Sequence, residues 1–306
     1  MDLKTAVKRL LRPFHLVLPA TVYGARFKVP LMRGVGGSHR QGSEPWMLDA
    51  LQRLFALAGT PGMVDVGVNI GQTLLKAKSI DRRCRYVGFE PNPFCVQFVN
   101  ELIALNRFEH CDVLPVALSS GPGLIGFVAE SEADSAASMV QDLRPGKKPI
   151  RRQYVATLAF DDIAAQLGAD RLGIVKIDVE GAELEVLSGM QRHLRACRPL
   201  VACEVLHAHT AAQIGLMRER NARLMALLDG ERYAALRIQK DGEQRRVAGL
   251  APVSAFPDAV YDHRTSPAVC DYLFVPREQV REAVAVFRAD AASFAPAAMV
   301  GRPTVA

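Results

Sequence analysis

No two of the six cysteines in this 306-residue chain form a Cys-x-x-Cys pair. Cys84, Cys95, Cys111, Cys197, Cys203 and Cys270 are scattered, most within apolar runs where a reduced thiol behaves as a small hydrophobe. That pattern excludes a zinc ribbon and a disulfide framework. No uninterrupted apolar stretch approaches the roughly 18 residues of a membrane span. The start carries Lys4, Lys8, Arg9 and Arg12, then a short apolar run broken by Pro19, so a cytoplasmic protein without a transmembrane segment is expected. Aromatic residues make up only 7%, with one tryptophan, and none interleave with a basic stripe, so nucleic acid is not an expected partner. Charge is nearly balanced: 38 Lys and Arg against 32 Asp and Glu leave +6, a diffuse bias toward anionic partners.

What is present is an ordinary globular composition, 49% hydrophobic and 23% charged. It suggests one main domain with appendages: a helical and loop extension over 1–45, a domain over 46–288 with its motif core at 63–209, and a disordered Ala- and Pro-rich tail over 289–306. Leu3, Val7, Leu10, Leu11 and Phe14 share a helical face opposite lysines and arginines, which suits docking on a core or a membrane surface. The glycine-rich, charged segment Met32 to Gly42 reads as a solvated loop, and Ser43 as a cap for a helix from Pro45 through Leu57. From Met63 the pattern alternates. Strands are expected to Val66, from Arg85 to Glu90, from Asp112 to Ala117, from Leu172 to Asp178 and from Leu200 to Val205. Helices are expected from Gly71, over Pro93 to Leu105 and over Ala182 to Leu194. Such alternation predicts an α/β fold, a parallel sheet with helices on both faces. A hairpin-like excursion, Leu124 to Ala129 and Tyr154 to Leu158, would overhang the site, followed by a short helix from Phe160 to Leu167. Tyr233 to Ile238 and Tyr272 to Val275 read as an added antiparallel edge pair.

Two segments point to a nucleoside cofactor. Val64 to Gly71 is an apolar strand running into a glycine turn, and Phe89-Glu90-Pro91 ends the next strand 25 positions after Asp65. In an open parallel sheet ligands lie at the carboxyl ends of strands, where glycine lets the backbone approach and an acid on the second strand accepts both ribose hydroxyls. The turn is Gly-x-Asn-x-Gly, without the third glycine spacing of a dinucleotide site. That suits a cofactor with a carboxylate and no phosphate, such as S-adenosylmethionine. On this reading Gly67 and Gly71 keep side chains away from the cofactor, Asn69 offers an amide to its amino-acid end, Glu90 takes the ribose, and Asp65 meets the ammonium. The plainer alternative is a tight strand-helix turn beside a solvated glutamate.

These segments, together with Asn92-Pro93, Val116-Ala117-Leu118-Ser119, Lys176-Ile177-Asp178-Val179-Glu180-Gly181-Ala182-Glu183 and Pro199 to Glu204, resemble the FkbM family of S-adenosylmethionine-dependent methyltransferases. The resemblance runs from about Met63 to Glu204. One departure is Val68, where the family commonly has alanine. The resemblance implies a Rossmann-like class I methyltransferase fold with a mostly parallel seven-stranded sheet, and methyl transfer to an oxygen acceptor such as a sugar or polyketide hydroxyl. It adds Asn92 and Ala117 to the cofactor contacts.

Lys176, Asp178 and Glu180 alternate on the strand that ends at Gly181, which puts Asp178 at the pocket mouth. Methyl transfer needs a group that positions the acceptor and takes its proton. Asp178 is the candidate, with Glu204 and His207 from the neighbouring strand end as partners. Helix capping is the rival reading for Asp178, Glu180 and Glu183, fitting the two glutamates better than the aspartate; a loop or cap role is that for His207 and His209, and Lys176 reads as a neutralising cation. An Asp178, Glu204, His207 cluster could also hold a divalent ion, although no essential metal is expected. Five cations between Arg144 and Arg152 would favour an anionic acceptor such as a phosphorylated or uronic-acid sugar, or simply form a solvated loop. Rival functions are N-methylation of a small molecule or protein, disfavoured by the lack of an Asn-Pro-Pro-Tyr signature, a non-catalytic nucleoside-binding protein, and an NAD-dependent oxidoreductase.

Overall fold

The computed structural model describes residues 15–59, 62–129 and 151–288. The amphipathic stretch before residue 15, the segment 144–150 of the basic run and the tail from 289 lie outside the described residues.

The described residues open on strands, where the 15–45 part of the extension was expected to be helix and loop. β1 (His15–Val22) and β2 (Ala25–Met32) form an antiparallel hairpin. Its two turn residues, Tyr23 and Gly24, both have positive φ, 53° and 74°, the primed turn whose twist matches that of the strands. Pro19 interrupts the apolar run in sequence, yet a ribbon of two edge strands accommodates it, and Pro30 on the other strand, because each strand has an unpaired side. A 3-10 turn (Gly37–Gln41) then leads to α1 (Pro45–Ala58). The residue capping α1 is Glu44, not Ser43; the Ser43 backbone is instead held by the Tyr23 hydroxyl at 2.9 and 3.0 Å. Nor is the loop wholly solvated. His39 is buried, its Nε2–H donating to the Ile70 carbonyl at 2.8 Å.

Next come β3 (Gly62–Val66), α2 (Gln72–Ile80), β4 (Arg85–Phe89), α3 (Pro93–Asn106) and β5 (Cys111–Leu114). The strand expected through Ala117 stops at Leu114, ahead of Pro115, which has no N–H for a ladder. Ala117 and Leu118 form β6 in a separate three-stranded sheet with β7 (Gly123–Ala129) and β8 (Arg151–Leu158). α4 (Phe160–Ile163), β9 (Ile174–Ile177), α5 (Glu183–Ser188), α6 (Gln191–Cys197) and β10 (Leu200–Glu204) follow. The helix expected from Ala182 to Leu194 is thus two. At the break, Gly189 lies so close to the Ser119 carbonyl that a Cβ would sit 2.0 Å from its oxygen, and its own carbonyl accepts from Asp161 N. The chain then forms α7 (Ile214–Gly230), β11 (Tyr233–Lys240), β12 (Val247–Pro252), β13 (Asp271–Pro276) and α8 (Val280–Arg288).

The main sheet has eight strands in the order β12-β11-β13-β10-β9-β3-β4-β5. β10, β9, β3, β4 and β5 are parallel, and β13 runs against them. This is the Rossmann-like α/β sheet anticipated, with two differences. β11 and β13 do pair, but β13 is interior, wedged between β10 and β11. The extra edge strand, β12, is covered by α1 and α8: Val247 N–H donates to Asp49 at 2.8 Å, and buried Arg53 pairs with Asp49 and donates to the Val286 carbonyl.

Apolar packing covers both faces. On one lie the β1–β2 hairpin, α1, α2, α3 and α8, around Leu51, Leu54, Leu74, Phe98 and Phe287. On the other lie α4 to α7, around Phe160, Val186, Leu187, Leu194 and Leu228. Among the described residues no helix is long and apolar enough to cross a membrane.

The hairpin is fastened by Asn106 at the end of α3, which accepts from Lys28 N–H at 2.8 Å and donates to the Lys28 and Leu102 carbonyls at 2.7 and 2.8 Å. Replacing Asn106 with Ala leaves buried backbone groups unpaired, at a cost of about 1–3 kcal/mol. A thermal melt should therefore show Asn106→Ala melting lower by roughly 2–10 °C, while Asn100→Ala on the exposed face of the same helix leaves the midpoint in place.

Candidate active site

A cavity of about 430 Å³ opens at the carboxyl ends of β3, β4, β9 and β10. Such a volume falls in the range of small-molecule sites. On one side the turn after β3 forms its wall. Gly67 has φ +85° and lies against the chain leaving β9, so a Cβ there would fall 1.9 Å from the Asp178 carbonyl oxygen. Only glycine fits both demands. Asn69 follows in the left-handed region, φ 50°, and Glu44 and Glu180 share that unusual geometry, φ 43° and 55°; all three line the cavity. Backbone strain of this kind gathers at functional sites.

Glu90 stands just past β4, buried at 6% exposure. Its carboxylate accepts from Asn69 N–H and from Asn92 N–H, each at 2.7 Å. Two backbone donors fix the group rigidly and leave about half of its lone-pair sites for a ligand. Burial pushes its pKa up to about 7, against the pull of those two N–H groups and of Lys176. Gln72 and Thr73, in the first turn of α2, line the same end, where the partial positive charge of a helix start attracts carboxylates. Ala117, Leu118, Phe89, Pro91 and Cys95 provide apolar wall.

Asp178, Glu180 and Glu204 line the other end, with Ser43, Glu44, Trp46 and Met47 from the start of α1 and Asp271 and Tyr272 from β13. Asp178 is held by Lys176, whose Nζ lies 3.3 Å from Asp178 and 3.4 Å from Asp65 and donates to the Gly67 carbonyl at 3.0 Å. Burial would weaken the ammonium, but Asp178 and Asp65 outweigh it and keep Lys176 protonated. Burial, then Asp178 and Asp271, drive the Glu204 pKa well above the usual carboxylate range. Burial thus favours its neutral form. Asp271 is pushed up to about 6 by burial despite Lys240 at 2.6 Å.

Of the residues singled out in the sequence, Gly67, Asn69, Glu90, Ala117, Asp178 and Glu204 line the cavity. Asp65, Gly71, Asn92 and His207 do not. Asp65 is fully buried beside β9, in register with Lys176, and accepts from the Tyr86 hydroxyl. Gly71 faces Leu102 and Val99 of α3. Asn92 caps α3, its side chain accepting from Phe94 N–H at 3.0 Å. His207 is buried with Nδ1 3.1 Å from Ser266 Oγ and its ring edge-on to Tyr261, and among the described residues no group of three metal-ligating side chains forms. Glu183 stands in the first turn of α5 and accepts from Gly181 N–H at 2.8 Å, while the helix has no side-chain cap bond. The sequence reading missed Trp46, Asp271 and Tyr272. The lone tryptophan beside a helix start was the available signal for the first; nothing local marked the other two.

Residues 65–235 match the methyltransferase FkbM domain. The chain belongs to the FkbM methyltransferase family. S-adenosylmethionine is the cofactor that goes with that membership. This FkbM chain is similar to methyltransferase sdnD of Sordaria araneosa, at 26% identity over 47% of its own length and 66% of sdnD. Among solved structures it resembles an FkbM methyltransferase from Methylobacillus flagellatus KT, at 19% identity over 47% of this chain and 32% of that one, TM-score 0.35. Another is an O-methyltransferase from Bacillus cereus in complex with SAH, 12% identical over 74% and 79%, TM-score 0.40. The FkbM chain thus spans less than two thirds of sdnD and about a third of the Methylobacillus protein.

The raised pKa of Glu204 has a consequence for stability. Because the folded state holds its proton more tightly, folding loses stability as pH rises above the ordinary glutamate value of about 4.5. Glu204→Gln removes that loss. Its melting temperature should exceed the parent's by a few degrees at pH 8 and match it near pH 4; an equal offset at both would contradict the assignment.

Proposed function

We propose that this FkbM protein transfers the methyl group of S-adenosylmethionine to a hydroxyl oxygen of a glycan or secondary metabolite. The observation that carries the reading is the row of strand ends: a doubly anchored Glu90 at one end of the cavity and an ion-paired Asp178 at the other.

The residues present fit the cofactor. Glu90 keeps lone pairs free for a ribose diol after its two backbone bonds, the first turn of α2 offers a positive end for an amino-acid carboxylate, and apolar side chains beside Glu90 suit a flat base. Bound there, S-adenosylmethionine supplies an electrophilic methyl group. The chain's own tasks are to orient the acceptor, exclude water and move one proton. Asp178, with its side chain 40% exposed, reaches the open mouth and is the group we assign to accept the hydroxyl proton. Lys176 fixes its orientation. Glu204 lines the same end of the cavity, where the acceptor would meet it. We place Asp65, Gly71 and Asn92 behind the contact layer: Asp65 positions Lys176, Gly71 lets α2 pack on α3, and Asn92 anchors Glu90.

Calorimetry with S-adenosylhomocysteine tests the cofactor half. Glu90→Ala should weaken binding about 10–100-fold, the worth of charge-assisted hydrogen bonds. Affinity of the parent should fall as pH drops through about 7, since only the ionised Glu90 accepts from both hydroxyls, and Glu90→Ala should lose that dependence. Undiminished binding by Glu90→Ala would sink the proposal. For the transfer half, Asp178→Asn should bind S-adenosylhomocysteine normally yet fail to add one methylene mass to metabolites or glycans. Those products are found by comparing mass spectra of producing and deletion strains.

A further inference from the structure

Among the described residues, the charge on the acceptor side of the cavity is one-sided. Glu44, Asp178, Glu180, Glu204 and Asp271 line it, against a single lining lysine, Lys176. Among the described residues, three nearby lysines are already committed. Lys176 is shared between Asp178 and the fully buried Asp65. Lys240 is paired with Asp271 at 2.6 Å, and Lys76 lies 3.5 Å from Glu44. Glu204 is directly opposite Asp271 in the β10–β13 register, an arrangement of like charges that weakens a sheet. Among the described residues no hydrogen-bond or ion-pair partner meets the Glu204 carboxyl, although it is largely buried and opens onto the cavity.

The surplus is set apart from Glu90, the group assigned to the ribose: Glu90 stands just past β4, whereas Glu204 and Asp271 lie at β10 and β13, three and four strands along. At about 4.8 Å per strand those strands are roughly 14–19 Å from β4.

Resting on the methyl-transfer reading above, we propose that the acceptor is a hydroxyl-bearing amine, of the amino-sugar class, whose ammonium is held by Glu204 with Asp178 and Asp271 beside it. An ammonium offers three donors to carboxyl oxygens, and a charge-assisted pair at this depth is stronger than a neutral one. It also removes the frustration between Glu204 and Asp271 by letting both ionise around a shared cation. A phosphorylated or uronic-acid sugar meets the opposite: its anion would be desolvated against carboxyl groups with no free cation among the lining residues. Acceptor selection is then set by rejection of anions as much as by attraction of amines.

Trp46 is the chain's single tryptophan and lines the cavity, so its fluorescence reports occupancy directly. The experiment saturates the full chain with S-adenosylhomocysteine and titrates glucosamine, glucose and glucuronate, which match in size and differ in charge. Glucosamine should perturb Trp46 at concentrations about 10–100-fold below the other two. Glu204→Gln should lose that preference while keeping its S-adenosylhomocysteine affinity. An equal response to the three sugars, a preference for glucuronate, no response to any of them, or a preference retained in Glu204→Gln overturns the inference. Failure of the methyl-transfer reading is separately visible as absence of S-adenosylhomocysteine binding in the first step.

Discussion

One buried ammonium organises this molecule. Lys176 sits in the middle of β9, between Val175 and Ile177, whose side chains pack on the other face of the sheet. Its own side chain lies on the face of Tyr86 and Asp65, and Asp65 is its register partner on β3. From there Nζ reaches the Gly67 carbonyl and the Asp178 carboxylate together. The glycine turn at one end of the cavity and the acid at the other are thus fixed by the same atom. A buried charge is costly unless it is paired and hydrogen-bonded. Asp65 and Tyr86 meet that demand from behind, which is why an acid outside the cavity still matters to it.

The same economy explains why the site is a weak point of the fold. Glu90, Glu204 and Asp271 are all driven above their ordinary pKa values, chiefly by burial, so each gives up stability as pH rises. The left-handed backbone at Glu44, Asn69 and Glu180 adds conformational cost at the same place. The surrounding structure supplies the surplus. Apolar side chains fill both faces of the sheet, β12 and α8 extend the layer over α1, and the β1–β2 hairpin seals the flank of α3.

What the sequence made legible follows from what each signal encodes. The apolar run to Val66 and the glycines after it can be little else than a strand and a tight turn, and Glu90 at the next strand end was placed correctly at the cavity. Strand alternation gave the parallel sheet. Boundaries set by a distant neighbour were not legible. Gly189 looks like an ordinary helical residue until the Ser119 carbonyl is packed against it, and β12 follows a charge-rich segment, so its six residues carry little periodicity of their own. Within the motifs, adjacency in sequence concealed direction. Asp65, Gly71 and Asn92 flank true lining residues yet turn toward Lys176, α3 and the α3 start, and His207 lies three residues past Glu204 with its ring against Tyr261.

The division between what could and could not be read coincides with a division in the cavity itself. Gly67, Asn69, Glu90, Ala117 and Asp178, which line the end we assign to the cofactor and its junction with the rest of the cavity, all fall within the matched segment 65–235. Ser43, Glu44, Trp46, Met47, Ile238, Asp271 and Tyr272 fall outside it and wall the side we assign to the acceptor. These outer pieces are tied to one another by Lys240, which bonds Asp271 and the Pro267 carbonyl and lies 4.1 Å from the centre of the Trp46 ring. A cofactor common to a family demands constant geometry, and a local motif can encode that. An acceptor particular to one protein is met by segments far apart in the chain, joined only after folding, so its chemistry is written in the assembled charge of the cavity and not in any one stretch of sequence.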